Sequence, residues 1–184
     1  ADVSGKGIPA AIFMAVSRTL IRATGIHGGK PSECISYSNR LLSDESVDCM
    51  FVTVFYGILN VTTGEVTYCN AGHNPPYVLK RNGEVSLVPL TNDPMVGAIN
   101  GVDYHDGTLQ LEKGDKLVLF TDGVTEAINP AFEAYGEGRL EQTLAGTTSQ
   151  NCQQTVDDIK ASVSAFAGEA DQSDDITILA LKRL

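Results

Sequence analysis

The chain is 184 residues long, 42% apolar, and carries a formal charge of −10. That size suits one globular domain able to bury most of its apolar surface, and no apolar run approaches the roughly 18 residues that a membrane span needs. The charge argues against a nucleic-acid or anionic-membrane surface. With only 13 scattered basic residues, any phosphate handling would draw its positive charge from metal ions.

GIPAAIFMAVSRTLIRATG (7–25) predicts a helix, with Pro9 suited to its first turn and Gly25 to its end. Ile12, Val16, Leu20 and Ala23 form its expected apolar face, Phe13 and Met14 are assigned to core packing, and Lys6 is a solvated residue at the helix start. A second helix starts near Ser32 and fades beyond Leu42. MFVTVFYGILNV (50–61) and GEVTYCNAG (64–72) read as strands, and YVLKRNGEVSLVPL as a hairpin around Asn82-Gly83. GTLQLEKGDKLVLFTD supplies two more strands joined near Gly114. A helix with Val156, Ile159, Val163 and Phe166 on one stripe precedes a last strand, DITILALKRL. Helices at both ends and strands between them predict an α+β fold rather than alternating βαβ units. The four cysteines (Cys34, Cys49, Cys69, Cys152) lie far apart with no C-x-x-C pair. That spacing excludes the common zinc patterns and reads as buried thiols in a reducing cytoplasm.

Carboxylates fall at strand ends in three places. Asp2 precedes a Gly-rich turn, Asp122 closes the strand in KLVLFTDGVTEA, and Asp174-Asp175 opens the last strand in SDDITILAL. Each one alone is commonly a turn or cap residue. Gathered at a shared sheet end they would repel one another, so a hard divalent cation is the natural partner. Mg²⁺ or Mn²⁺ suits the set better than Zn²⁺, because no His or Cys stands at these points. Two such ions about 3.5–4 Å apart would activate a water and clamp a phosphoryl oxygen.

DVSGKGIPAAIFMA, MFVTVFYGILNVTTGEVTYCNAGHNPPYVL, GDKLVLFTDGVTEAIN and SDDITILAL together resemble the protein phosphatase 2C superfamily, and within it the bacterial serine phosphatases of the SpoIIE/RsbU type. The likeness runs in the family's order from Ala1 to Leu184. It implies a single catalytic domain, an αββα sandwich with two Mg²⁺ or Mn²⁺ ions between the sheets. Carried over residue by residue, Asp2 would bridge the two ions, the Val3 main-chain carbonyl would ligate one, and Asp122 and Asp174 would complete the second site. Asp175 stands where many relatives have Asn and takes a supporting role, Gly123 clears space beside Asp122, and His73 lies near the metal edge. The family places a further acidic ligand on a strand upstream of the DVSGKG turn. The chain as it stands is therefore expected to lack the first strands of the fold, to leave a sheet edge open for a homodimer, and to leave one or both metal positions weak or empty. The resemblance also implies a phosphorylated substrate like an anti-anti-sigma factor and an upstream sensor or receiver domain.

Other readings fit less well. SGKG lacks the G-x-x-x-x-G-K-[ST] frame of a P-loop. LFTDGVT resembles the aspartyl-phosphate hydrolases, but the second Asp they need is Val124 here. His73, beside two prolines, is equally a plain loop residue; His27 and His105 are expected on the surface, and Glu126 in the first turn of a helix after Asp122. A phosphoprotein-binding or signal-receiving module without catalysis is the alternative function, and retention of Asp2, Asp122 and Asp174 weighs against it.

Overall fold

The apolar run at 50–61 becomes a strand because alternate residues have a core to enter: Val52 and Val54 are buried, while Thr53 and Phe55 are only half-buried. In the computed structural model, which describes residues 1–45, 50–147 and 150–184, this strand is Val52–Leu59. The chain divides into two compact units, Ala1–His73 with Pro89–Gln110 and Asn74–Val88 with Leu111–Leu184.

The first unit holds β1 (Asp2–Val3), α1 (Gly7–Gly25), α2 (Pro31–Glu45), β2 (Val52–Leu59), β3 (Glu65–Ala71) and, after an excursion into the second unit, β6 (Gly107–Gln110). Its sheet runs β1-β2-β3-β6, antiparallel throughout, with Asp2 opposite Thr53 and Phe55 opposite Asn70. Ile35 and Leu42 of α2 pack on Val52, Val54, Cys69 and Ala71 of the sheet. Gly5 and Gly7 both have φ near +80°, which lets the chain reverse from β1 into α1 where a side chain would be strained.

The α1 boundaries match the expectation, and Phe13 and Leu20 pack as expected, but Ile12, Val16 and Met14 do not, Met14 being 48% exposed. Phe13, Leu20 and Ile21 meet the core and Ser17 is buried, whereas Ile12 is 60% and Val16 38% exposed. Residues 8–16 are apolar without a break, so periodicity alone leaves the rotation of the helix undetermined; the stripe through 13, 17, 20 and 21 is the one the sheet covers. Cys34 and Cys69 are buried as expected, Cys152 is half-buried, and Cys49 lies outside the described residues.

The second unit is built on β4 (Tyr77–Leu79), β5 (Val85–Leu87), β7 (Lys116–Phe120) and β8 (Ile178–Lys182), ordered β5-β4-β7-β8 and antiparallel. The hairpin turns where Asn82-Gly83 predicts, with Lys80 N–H donating to Glu84 O at 2.8 Å. The strands on either side of Gly114 belong to different sheets. Two helices, α3 (Gly136–Gly146) and α4 (Cys152–Ala167), bury Leu140, Leu144, Ile159 and Val163 against Tyr77, Leu79, Val118 and Phe120. The Asn151 side chain caps α4 by accepting from Gln154 N–H. Lys116 is wholly buried; its ammonium donates to Thr147 O at 2.5 Å, Thr155 Oγ1 at 2.8 Å and Gln150 O at 3.3 Å, fastening β7 to the segment between α3 and α4. Among the described residues, no helix is long and apolar enough to cross a membrane.

Candidate metal centre

β7 is apolar because it is an inner strand of its sheet, flanked by β4 and β8. Where it ends, Thr121 clasps the chain entering β8. Its amide donates to Thr177 O at 3.1 Å, its hydroxyl donates to Asp175 O at 2.9 Å, and the same hydroxyl accepts from Thr177 N–H at 2.9 Å. Asp122 and Gly123 follow directly. A Cβ built on Gly123 would stand 2.5 Å from Asp175 O and 3.2 Å from Asp174 O, so the two backbones pass in contact. Only glycine allows that approach.

This clasp brings Asp122, Gly123, Asp174 and Asp175 together within the second unit. Asp122 is not a cap: the turn bonds run to its main-chain oxygen, from Glu126 N–H at 2.8 Å and the Thr125 hydroxyl at 3.2 Å. Among the described residues its carboxylate accepts no hydrogen bond, and no ion pair involves Asp122, Asp174 or Asp175. Asp174 is half-buried; its carboxylate accepts one bond, from Asp175 N–H at 2.8 Å, and its main-chain oxygen accepts from Gln172 Nε2 at 2.8 Å. No helix follows Asp122. Glu126 lies in a single turn, because the chain then folds into a bridge between Ile128 and Ala134 around Pro130.

Asp2, Val3 and His73 lie in the first unit, grouped around Thr53. Thr53 pairs with Asp2 across β1 and β2, its hydroxyl lies 3.4 Å from Asp2 O, and it is 2.9 Å from His73 Nδ1. Val3 pairs with Val52 and packs on the core. His73 is 5% exposed, and its amide donates to Asn70 Oδ1 at 2.8 Å. Burial, the main cause, lowers its pKa to about 4, so the ring is neutral at ordinary pH. His27 is exposed as expected. The His105 ring is also exposed, and its Nδ1 is held 2.8 Å from the buried Asp93 carboxylate.

The donor chemistry fits a hard cation in part. Among the described residues no three or more His, Cys, Asp or Glu converge as a cage, while Asp122 and Asp174, neither in an ion pair, stand on two segments whose backbones are in contact. Mg²⁺ is commonly bound through one or two carboxylates with several waters retained. Sequence reasoning missed Thr121 and Thr53, whose hydroxyls reach partners at least 20 positions away in the sequence; nothing local in the sequence marks them.

The sequence profile of the family described as Stage II sporulation protein E (SpoIIE) matches residues 1–184. Phosphoserine phosphatase RsbU of Bacillus subtilis is 36% identical over 129 residues, covering 68% of this chain and 38% of that protein. The chain spans 33% and 38% of the length of two curated relatives it matches. The RsbU and RsbW domains of Rv1364c from Mycobacterium tuberculosis superpose with a TM-score of 0.81 at 26% identity, over 99% of this chain and 50% of that one. The PP2C phosphatase domain of SpoIIE from Bacillus subtilis gives a TM-score of 0.81 at 22% identity, over 97% of this chain and 51% of that one. The chain belongs to the SpoIIE family, and its α+β fold is that of PP2C-type phosphatase domains.

Proposed function

We propose that this chain is the divalent-metal-dependent serine/threonine phosphatase domain of a longer bacterial signalling protein, acting on a small phosphorylated regulator of the anti-anti-sigma-factor kind. One observation carries the reading: the Asp122 carboxylate, free of capping bonds, stands on a turn in backbone contact with Asp174 and Asp175. Likeness to RsbU supports a phosphoserine substrate, and likeness to a protein joining RsbU and RsbW domains supports a place in partner-switching signalling.

Asp122 and Asp174 of the second unit would be ligands for Mg²⁺ or Mn²⁺, and the family resemblance adds Asp2 and the Val3 carbonyl of the first unit as candidates. Such ions, when bound, neutralise charge on phosphate and acidify a water. The rest falls to the chain itself. The carboxylates keep the site anionic and hydrated until a cation enters, Gly123 leaves room for the 174–175 backbone, and Thr121 fixes the spacing of the two acidic turns. His73, neutral, orients the Thr53 hydroxyl beside β1. In the reaction, water oxygen bonds to phosphorus as the bond from phosphorus to the serine oxygen breaks. One water proton ends on the serine hydroxyl and inorganic phosphate leaves, with no phosphorylated enzyme residue.

The test uses the full-length protein. Asp122→Asn and Asp174→Asn should each lower Mn²⁺ affinity at least ~10-fold by calorimetry and abolish phosphate release from a phosphoserine peptide. Unchanged Mn²⁺ binding in both variants would remove these residues from the site. Tight binding of phosphopeptide by the wild type without phosphate release would favour the non-catalytic alternative.

A further inference from the structure

Three residues beyond Asp122, the chain leaves the candidate site as a small closed loop. Tyr135 N–H donates to Ala127 O at 2.8 Å and Gly136 N–H to Thr125 O at 2.9 Å, closing its base. Ile128 and Ala134 bridge its arms. Asn129 organises its tip: its Oδ1 accepts from Ala131 and Glu133 amides, each at 3.0 Å, and its Nδ2 donates to Glu133 Oε2 at 2.9 Å. The product of this ordered turn is Phe132, at φ +60° and 85% exposed. A bulky residue in the left-handed region is strained, and at that exposure the ring returns almost no burial to the fold. Glycine would suit the position better on stability grounds alone.

The inner arm of the same loop, at Ala127 and Ile128, walls a groove of about 390 Å³ that begins at Gly123 and is otherwise lined by Lys160, Ser164 and Ile176 among its residues. The groove is thus continuous with the Asp122–Gly123 turn. A polypeptide whose phosphoserine reached that turn would have its flanking residues beside the groove and the loop. We propose that the 125–136 loop reads the protein substrate, with the Phe132 ring receiving an apolar side chain that flanks the phosphoserine. This assignment rests on the phosphatase reading of Asp122 and Asp174, and it makes Phe132 a specificity residue rather than a catalytic one.

The experiment compares wild type, Phe132→Gly and Phe132→Leu, as full-length protein with Mn²⁺. The substrates are phosphoserine peptides of serine and glycine carrying one leucine at successive flanking positions, the same peptide without leucine, and p-nitrophenyl phosphate. Wild type should prefer one leucine register by at least ~5-fold in kcat/KM over the peptide without leucine, the scale of one apolar surface contact. Phe132→Gly should erase that preference, Phe132→Leu should keep part of it, and p-nitrophenyl phosphate turnover should stay within about 2-fold in both. The urea midpoint of Phe132→Gly should equal or exceed that of wild type, since strain is relieved. An identical peptide profile in wild type and Phe132→Gly would overturn the assignment alone, as would a matching fall on p-nitrophenyl phosphate. Failure of the wild type to hydrolyse any of the substrates would overturn the phosphatase reading, and this one with it.

Discussion

Replacing Gly123 with alanine tests the clasp on which the candidate centre depends. The added methyl would stand 2.5 Å from Asp175 O, 2.9 Å from its carbonyl carbon and 3.2 Å from Asp174 O, all backbone atoms that cannot rotate away. Ordinary contact begins at 3.4 Å, so one of the two backbones must retreat by about 0.9 Å. Thr121, whose hydroxyl holds Asp175 O at 2.9 Å, would lose that bond or strain it. Overpacking of this kind costs about 1–3 kcal/mol. If the Asp122 and Asp174 carboxylates serve one cation, a shift of that size should also weaken Mn²⁺ binding at least ~10-fold, as loss of an orienting group does. Gly138→Ala in α3 is the control: nothing lies within 4 Å of its added carbon, and alanine in a helix should stabilise by about 0.5–1 kcal/mol. Urea unfolding and Mn²⁺ calorimetry on both variants would decide. If Gly123→Ala matched the wild type in stability and metal affinity, the backbone approach would not position Asp122 and Asp174 for a shared cation.

Two further outcomes follow from buried groups. Lys116→Met removes a cation whose burial lowers its pKa and leaves the acceptors at Thr147, Thr155 and Gln150 unpaired; denaturant unfolding should show a loss of about 2–4 kcal/mol, and a loss under about 0.5 kcal/mol would mean water replaces the ammonium. His73 has its folded pKa lowered from 6.5 to about 4, so its neutral form is favoured by folding. Its contribution is complete above about pH 6.5 and is lost as pH falls from there toward about 4; the wild type should lose up to about 3 kcal/mol over that window that His73→Gln keeps, and parallel stability curves would contradict the burial argument.

The local signals in the sequence carried well. Asn82-Gly83 turned its hairpin, the stripe at Ile159 and Val163 found a core, and the segments carrying Asp122 and Asp174 run side by side because they follow β7 and precede β8, with Phe120 opposite Ile178. What escaped depends on distant partners. α3 offers only Leu140 and Leu144 as buried residues among charged neighbours, and its N-cap, Tyr135, makes no capping bond. The rotation of α1 is set by the sheet it meets, and the separation of β6 from β7 by pairings with β3 and β4. Thr121 reads as an ordinary strand residue until the segment some fifty positions later is laid beside it.

The order in which the strands are made has a consequence for how the chain becomes native. The first unit is interrupted by residues 74–88 and resumes only at 89–110, so its last strand arrives after the hairpin of the second unit has been made. That hairpin in turn waits for β7, since β4 sits between β5 and β7. Neither half can be cut out as one continuous stretch of the gene, and a ribosome that stops before residue 107 leaves β3 with one flank bare and β4 without its inner neighbour. Nascent chains in that state carry two open strand edges, the feature that recruits chaperones or seeds association between chains. A split at a surface loop past residue 120 places β1 to β7 in the leading piece, where β7 has its β4 neighbour and waits only for β8.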